Sequence, residues 1–184
     1  HNFFYKRHNE FWYNNAMKKL QQLIASTNML TCGEDLGMLN ESVTRCMNNL
    51  KILSLELQIM PKECGVELGN PANYPYLSVC TTSTHDCETL RMWLGARNGT
   101  ADATPEECAE VLEKNLAAPS MLAIFPLQDW LSIDGTLRNP QPDAERINIP
   151  AVADHYWKYR MHITIEELQA ATGLNKKIRE LSGR

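Results

Sequence analysis

"SVCTTSTHDCETL", residues 78–90, runs like a buried strand through Val79, Cys80, Thr81 and Thr82, then stops on two titratable side chains, His85 and Asp86. Valine and threonine suit a pleated, half-buried surface; a His-Asp pair does not. The same break occurs in "MLTCGEDLGML", residues 29–39, where a short apolar run meets Gly33, Glu34 and Asp35. "MLAIFPLQD", residues 121–129, reads as a last strand ending on Gln128 and Asp129. In parallel α/β proteins, functional groups collect at the carboxyl ends of strands, so these endings carry the chemistry.

The segments around them are helical. Trp12, Ala16, Leu20, Leu23 and Ile24 recur at helical spacing over residues 8–27. Asn40-Glu41-Ser42 starts a helix that buries Val43, Cys46, Met47 and Leu50, and "KILSLELQ", residues 51–58, leans toward strand before Pro61. Leu90, Trp93 and Leu94 mark a helix that breaks in the Gly/Asn/Asp-rich residues 95–103. Thr104-Pro105-Glu106-Glu107 supplies a hydroxyl cap, a proline at the first position and acids in the first turn of the next helix. Residues 134–150 read as a loop, and Thr164-Ile165-Glu166-Glu167 is a capping box that opens a C-terminal helix. Four β segments alternating with helices predict an α/β fold with a parallel sheet and right-handed crossovers. Alternation alone leaves an open sheet and a barrel equally available.

Composition narrows the function. The 184 residues are 43% hydrophobic and 22% charged, with a net charge of −4, enough for one domain with a real core. Without a basic block there is no electrostatic case for nucleic acid, and the apolar runs fall short of a membrane span. "HNFFYKRHNEFW" reads as mid-protein sequence rather than a leader. The six cysteines sit singly and Cys80-His85-Cys87 lacks zinc-site spacing, so we expect neither a disulfide nor a metal.

Glu34 and Asp86 follow small residues, Gly33 and Ser83-Thr84, which leave room for a ligand. Two carboxylates on one cleft suit general acid/base work, and a neighbouring histidine suits a hydroxyl-rich substrate. Each acid also has a plain structural alternative as a helix cap or a loop ion pair, and Asp129 is no better than that. The residues by themselves point to a hydrolase or a transferase.

"MLTCGEDLGML", "LSLELQIMPK", "YPYLSVCTTSTHDCETLR", "APSMLAIFPLQD" and "HYWKYRMHIT" together resemble the C-terminal half of 4-α-glucanotransferases, the amylomaltase or disproportionating-enzyme family (glycoside hydrolase family 77). The likeness runs from about Phe4 to Leu168, and "RHNEFW" and "HYWKYR" are closer to the plant cytosolic type. The resemblance implies the C-terminal half of a (β/α)8 TIM barrel, about four β/α units with parallel strands, followed by C-terminal helices. It implies a retaining double displacement that moves segments of α-1,4-glucans and maltooligosaccharides to glucose or another glucan acceptor, with no cofactor, in the cytoplasm. By motif, Glu34 matches the general acid/base and Asp86 the carboxylate that holds sugar hydroxyls and stabilises the transition state. His85, Asp35, Gln128 and Asp129 are expected to bind substrate.

The family's nucleophile is an aspartate in an Arg-x-Asp motif on an earlier strand. No such motif occurs here, so it is expected upstream of His1, with residues 1–184 forming the rear part of a single catalytic barrel. A half-barrel on its own would be inactive and would self-associate through its sheet edges. Ile59 stands where relatives often carry arginine, and Met92-Trp93-Leu94 replaces a small-Trp-Trp run. Trp93, Trp130 and Trp157 could stack on sugar rings or simply pack in the core. The rival functions are an α-glucan hydrolase of the amylase kind and a non-catalytic carbohydrate-binding or interaction fragment.

Overall fold

The computed structural model describes residues 2–155 and 157–183, the side chains of Phe4 and Tyr5 excepted. The chain divides into two compact units, residues 1–80 with 119–122, and residues 81–118 with 123–184.

In the first unit, helix α1 (Asn9–Ala25) packs on helix α2 (Glu41–Leu50). The Asn40 side chain caps α2 by accepting from the Val43 amide, as the Asn-Glu-Ser start predicts. Cys46 and Met47 are buried on the inner face of α2. The stripe on α1 behaves differently: none of its residues is buried, and Phe11 and Leu23 are 66% and 59% exposed. Its periodicity made the helix legible, but within this unit only one side of it has a partner. Polar contacts tie it down instead: Asn49 Nδ2 donates to the Tyr13 hydroxyl at 2.7 Å, and the Arg45 guanidinium lies 3.9 Å from the Tyr13 ring.

Strands β1 (Ser54–Leu57), β2 (Ser78–Thr81) and β3 (Leu122–Ala123) form a parallel sheet in that order. β2 is buried throughout, which explains its unbroken Ser-Val-Cys-Thr run. "MLTC" contributes less than a strand. It makes one parallel bridge, Cys32 to Leu53, in which the Leu53 amide donates to Thr31 O at 3.0 Å and the Gly33 amide to Leu53 O at 2.8 Å. The crossover from β1 to β2 contains a 3-10 turn (Pro71–Asn73) and no α-helix. Prolines and glycines between residues 61 and 75 prevent one, and a pocket of 510 Å³ lies there.

The second unit is helical. Helix α3 (Leu90–Asn98) passes through residues 95–98, which the sequence marked as a break, and ends on Gly99 at φ +75°. Gly95 is needed inside the helix for packing, because a Cβ there would meet the Asp102 amide nitrogen at 2.8 Å. Helix α4 (Pro105–Leu116) opens with the predicted capping box between Thr104 and Glu107. "MLAIFPLQD" is not one strand. β3 is two residues long, and Pro126, which lacks a ladder donor, turns the chain into helix α5 (Leu127–Leu131). Helices α6 (Ile165–Ala170) and α7 (Thr172–Leu181) follow the Thr164 capping box. Leu90, Trp93, Leu112, Leu131, Ile133 and Leu174 make the core, each side chain contributing about 1.5–3 kcal/mol on full burial.

A charged group is buried with them. Arg91, 2% exposed, pairs with Asp102 and with Glu145 (3.0 Å), and donates to Asn139 O at 2.7 Å. Arg91 holds the Asp102 carboxyl below its ordinary range, whereas burial pushes Glu145 up. This cluster fastens the 139–148 loop to α3.

Candidate active site

Glu34 lies in the first unit, exposed to solvent. Its two neighbours are fixed to the chain at and just before β1: Gly33 through its amide on Leu53 O, and Asp35 through Oδ1, which accepts from the Leu55 amide at 2.8 Å. The space beside Gly33 is occupied by two side chains of the same unit. A Cβ on it would come within 3.0 Å of Met47 Cε and 3.2 Å of Ile52 Cγ2. Asp35 is 7% exposed, and its Oδ2 accepts from Lys62 Nζ at 2.7 Å. Lys62 also donates to Glu56 Oε1 at 2.8 Å, and Glu56 accepts from Ser54 Oγ at 2.7 Å. Asp35 was expected to bind substrate; in the structure each of its oxygens accepts a hydrogen bond from the protein, and it anchors the segment that carries Glu34.

The second unit holds the Thr-His-Asp segment. His85 and Asp86 have side chains 46% and 47% exposed, with His85 Nε2 3.2 Å from Asp86 Oδ2. Asn148 joins the pair from the 139–148 loop. Its Nδ2 donates to Asp86 Oδ1 at 2.6 Å and its amide to His85 O at 3.0 Å. Arg146 in turn donates from Nε and Nη2 to Asn148 O at 3.3 and 3.2 Å. The Asp86 amide donates to Thr84 Oγ1 at 3.3 Å, and the Thr84 amide to Cys87 Sγ at 2.9 Å, so the turn is closed locally. Asp86 is thus held in orientation on both oxygens while remaining half in solvent. Sequence reading passed over Asn148 and Arg146, because a loop rich in proline, asparagine and aspartate gives no periodic signal. The Arg-x-Asn spacing inside it was the one available hint.

Aromatic side chains separate cleanly. Trp93 is 5% exposed and donates from Nε1 to Thr82 O at 3.1 Å, so it belongs to the core. Trp130 packs edge-on against Phe125, with ring centroids 5.4 Å apart. Trp157 is 61% exposed, and its ring lies 5.1 Å from that of His85. Of the three, Trp157 has the face and the location to meet a sugar ring.

Gln128 and Asp129, also expected to bind substrate, do not end a strand and are buried. Both sit on α5, with exposures of 5% and 0%. Asp129 Oδ2 accepts from Thr82 Oγ1 and Ser83 Oγ, each at 2.6 Å, and Oδ1 from the Leu90 amide at 2.9 Å. It joins the end of β2 to the start of α3, behind the Thr-His-Asp turn. Burial raises its carboxyl above the ordinary range against the pull of those three donors. Gln128 Nε2 donates to Glu145 O at 3.3 Å, and the small pocket it lines with Thr84 and His85 measures 20 Å³, room for a water and not for a sugar. Among the described residues, no cluster of His, Cys, Asp and Glu could hold a metal ion, and no helix is long and apolar enough to cross a membrane.

In the first unit Glu34 is an exposed acid beside a buried, engaged Asp35; in the second, an exposed Asp86 lies beside His85, whose ring meets that of Trp157. The chain is 36% identical to the 4-alpha-glucanotransferase DPE2 of rice (Oryza sativa subsp. japonica), an alignment covering 98% of this chain and 21% of that protein. It is 28% identical to a 4-alpha-glucanotransferase of Chlamydia trachomatis, over 88% of this chain and 34% of that one. The chain thus spans between a fifth and a third of the length of these relatives. In fold it is similar to the amylomaltase from Streptococcus agalactiae solved in complex with acarbose, with a TM-score of 0.63 at 18% identity, covering 95% of this chain and 34% of that one. The sequence pattern of the 4-alpha-glucanotransferase family matches residues 2–165, nearly the whole length, and the chain belongs to that family.

Proposed function

We propose that these residues form the C-terminal four β/α units of a (β/α)8 barrel in an intact enzyme that transfers α-1,4-glucan segments to an acceptor sugar. The nucleophile is carried on the barrel's other strands. The observation that carries this reading is the difference between Glu34 and Asp86 and their neighbours: these two acids face solvent while Asp35 and Asp129 are consumed by the scaffold. The relatives' names support the transferase activity, and the acarbose complex of the streptococcal amylomaltase supports oligosaccharide substrates.

Glycosidic oxygen leaves poorly as an alkoxide. Glu34, extended into solvent from a braced backbone, gives its proton to that oxygen in the first step and removes one from the acceptor hydroxyl in the second. Asp86 binds hydroxyls of the sugar under attack. Because Asn148 and His85 already fix its orientation, little reorganisation is required as charge develops on the ring. Trp157 provides an apolar face for a neighbouring glucose unit, which favours a sugar acceptor over water. The enzyme acts in the cytoplasm without a cofactor, and the 184-residue chain alone self-associates and is inactive.

Incubating the intact enzyme with maltotriose tests the assignment. Transfer yields glucose together with chains longer than three units; hydrolysis yields no longer chain. Transfer by the purified 184-residue chain would place the nucleophile within it and overturn the reading.

A further inference from the structure

Lys62 is the charged group of the first unit whose partners converge on the segment carrying Glu34, and nothing in the proposed chemistry uses it directly. Its ammonium bridges Asp35 Oδ2 at 2.7 Å and Glu56 Oε1 at 2.8 Å. Those carboxylates are 7% and 9% exposed, so each depends on the shared cation for compensation. Asp35 carries the effect to Glu34: its other oxygen accepts from the Leu55 amide, while Gly33 on the far side of Glu34 donates to Leu53 O. The backbone of Glu34 is therefore held at both ends against successive outward-facing amide and carbonyl groups of one chain segment. Without the ammonium, two crowded carboxylates would repel each other. Asp35 would turn toward water, and the second of the two attachments would be lost.

We propose that Lys62 is a positioning residue for the acid/base: it keeps Asp35 on the Leu55 amide and so fixes where the Glu34 carboxyl is delivered. The proposal rests on the assignment of Glu34 made above. Displacing a reacting group by about 1 Å can reduce a rate on the order of 100-fold, so the effect should fall on turnover rather than on binding.

The test joins two measurements on the intact enzyme. By hydrogen exchange, Lys62→Met should sharply reduce protection of the Leu55 amide, and Lys62→Arg should retain it. In the intact enzyme, Lys62→Met should lower turnover on maltotriose roughly 10- to 100-fold with KM little changed. Release of fluoride from an α-maltosyl fluoride, whose leaving group needs no proton, should be nearly preserved in the first step. Lys62→Arg should restore most of the maltotriose rate. If Lys62→Met does not fold, Lys62→Gln, which keeps a donor but no charge, should show the same split in weaker form. Unchanged Leu55 exchange, or equal losses on glycoside and fluoride, would overturn the proposal. Glu34→Gln measured in parallel separates the two claims. If it fails to show the glycoside-selective loss, the Glu34 assignment is wrong; if it shows it and the Lys62 variants do not, only the positioning role is wrong.

Discussion

Asp129 offers the sharpest test of how the Thr-His-Asp turn is supported. It is fully buried and accepts three hydrogen bonds, from the hydroxyls of Thr82 and Ser83 and from the Leu90 amide. Asp129→Ala strands those donors. Each unsatisfied buried donor costs about 1–3 kcal/mol, and since the two hydroxyls can rotate while the amide cannot, the total should be roughly 3–6 kcal/mol. Asp129→Asn is the more informative change. It keeps the acceptor for the Leu90 amide, and its NH2 can donate to the two hydroxyls once they turn. Burial raises the folded carboxyl above its ordinary value of 3.8, so the folded chain holds that proton more tightly than the unfolded chain does. Stability attributable to this group is therefore complete below the ordinary value and declines as pH rises through the interval up to the raised one. Asparagine has no such proton to lose. Urea unfolding followed by tryptophan fluorescence should show Asp129→Asn close to the parent in acid and more stable than it at pH 7, with Asp129→Ala destabilised at both. If Asp129→Asn were instead destabilised at pH 7, and increasingly so as pH rises, the three donors would outweigh burial and the reasoning from desolvation would be refuted.

The catalytic assignments give three further expectations for the intact enzyme. Glu34→Gln should abolish transfer from maltotriose, a loss of several kcal/mol in transition-state stabilisation (roughly 5 at the upper end), while circular dichroism stays unchanged. Asp86→Asn should reduce turnover by orders of magnitude and weaken calorimetric binding of a maltooligosaccharide only modestly, whereas His85→Ala should cost about 1 kcal/mol. Equal loss of rate and binding in Asp86→Asn would make it a simple substrate clamp. Trp157→Ala should shift the product balance from longer chains toward hydrolysis, read directly by chromatography of maltotriose digests; an unchanged balance would leave Trp157 without a role at the acceptor.

What was legible in the sequence followed from local physics. Helices α2 and α4 start where Asn40 and the Thr104–Glu107 box put them, because capping is settled within a single turn. β2 was legible because Val79, Cys80 and the threonines after them suit a buried strand, and all four of its residues are buried. The third strand was overread. Met121 to Asp129 is apolar nearly to its end, and only the consequence of Pro126, a helix start rather than a strand interior, separates β3 from α5. Asn148 was out of reach: its hydrogen bond to Asp86 spans 62 residues, and no local pattern marks a loop residue for such a partner.

The same limit explains why acids that look alike in sequence sit in opposite surroundings. Glu34 and Asp35 share a turn, and Asp86 and Asp129 both follow apolar runs, so composition treats them alike. What divides them is the supply of donors around each carboxylate. Asp35 meets a backbone amide and an ammonium, and Asp129 meets two hydroxyls and an amide; both become permanent parts of the scaffold. Glu34 remains exposed, and Asp86, though oriented by Asn148 and His85, keeps about half its side-chain surface open. A buried carboxylate that accepts such bonds must give them up before it can turn toward a substrate, at about 1.5–3 kcal/mol each. With Asp35 and Asp129 engaged by the scaffold, Glu34 and Asp86 are left as the acids that face solvent. At Glu34 the bracing comes from Asp35, itself held by the Leu55 amide of β1 and by Lys62; at Asp86 it comes from Asn148 and His85.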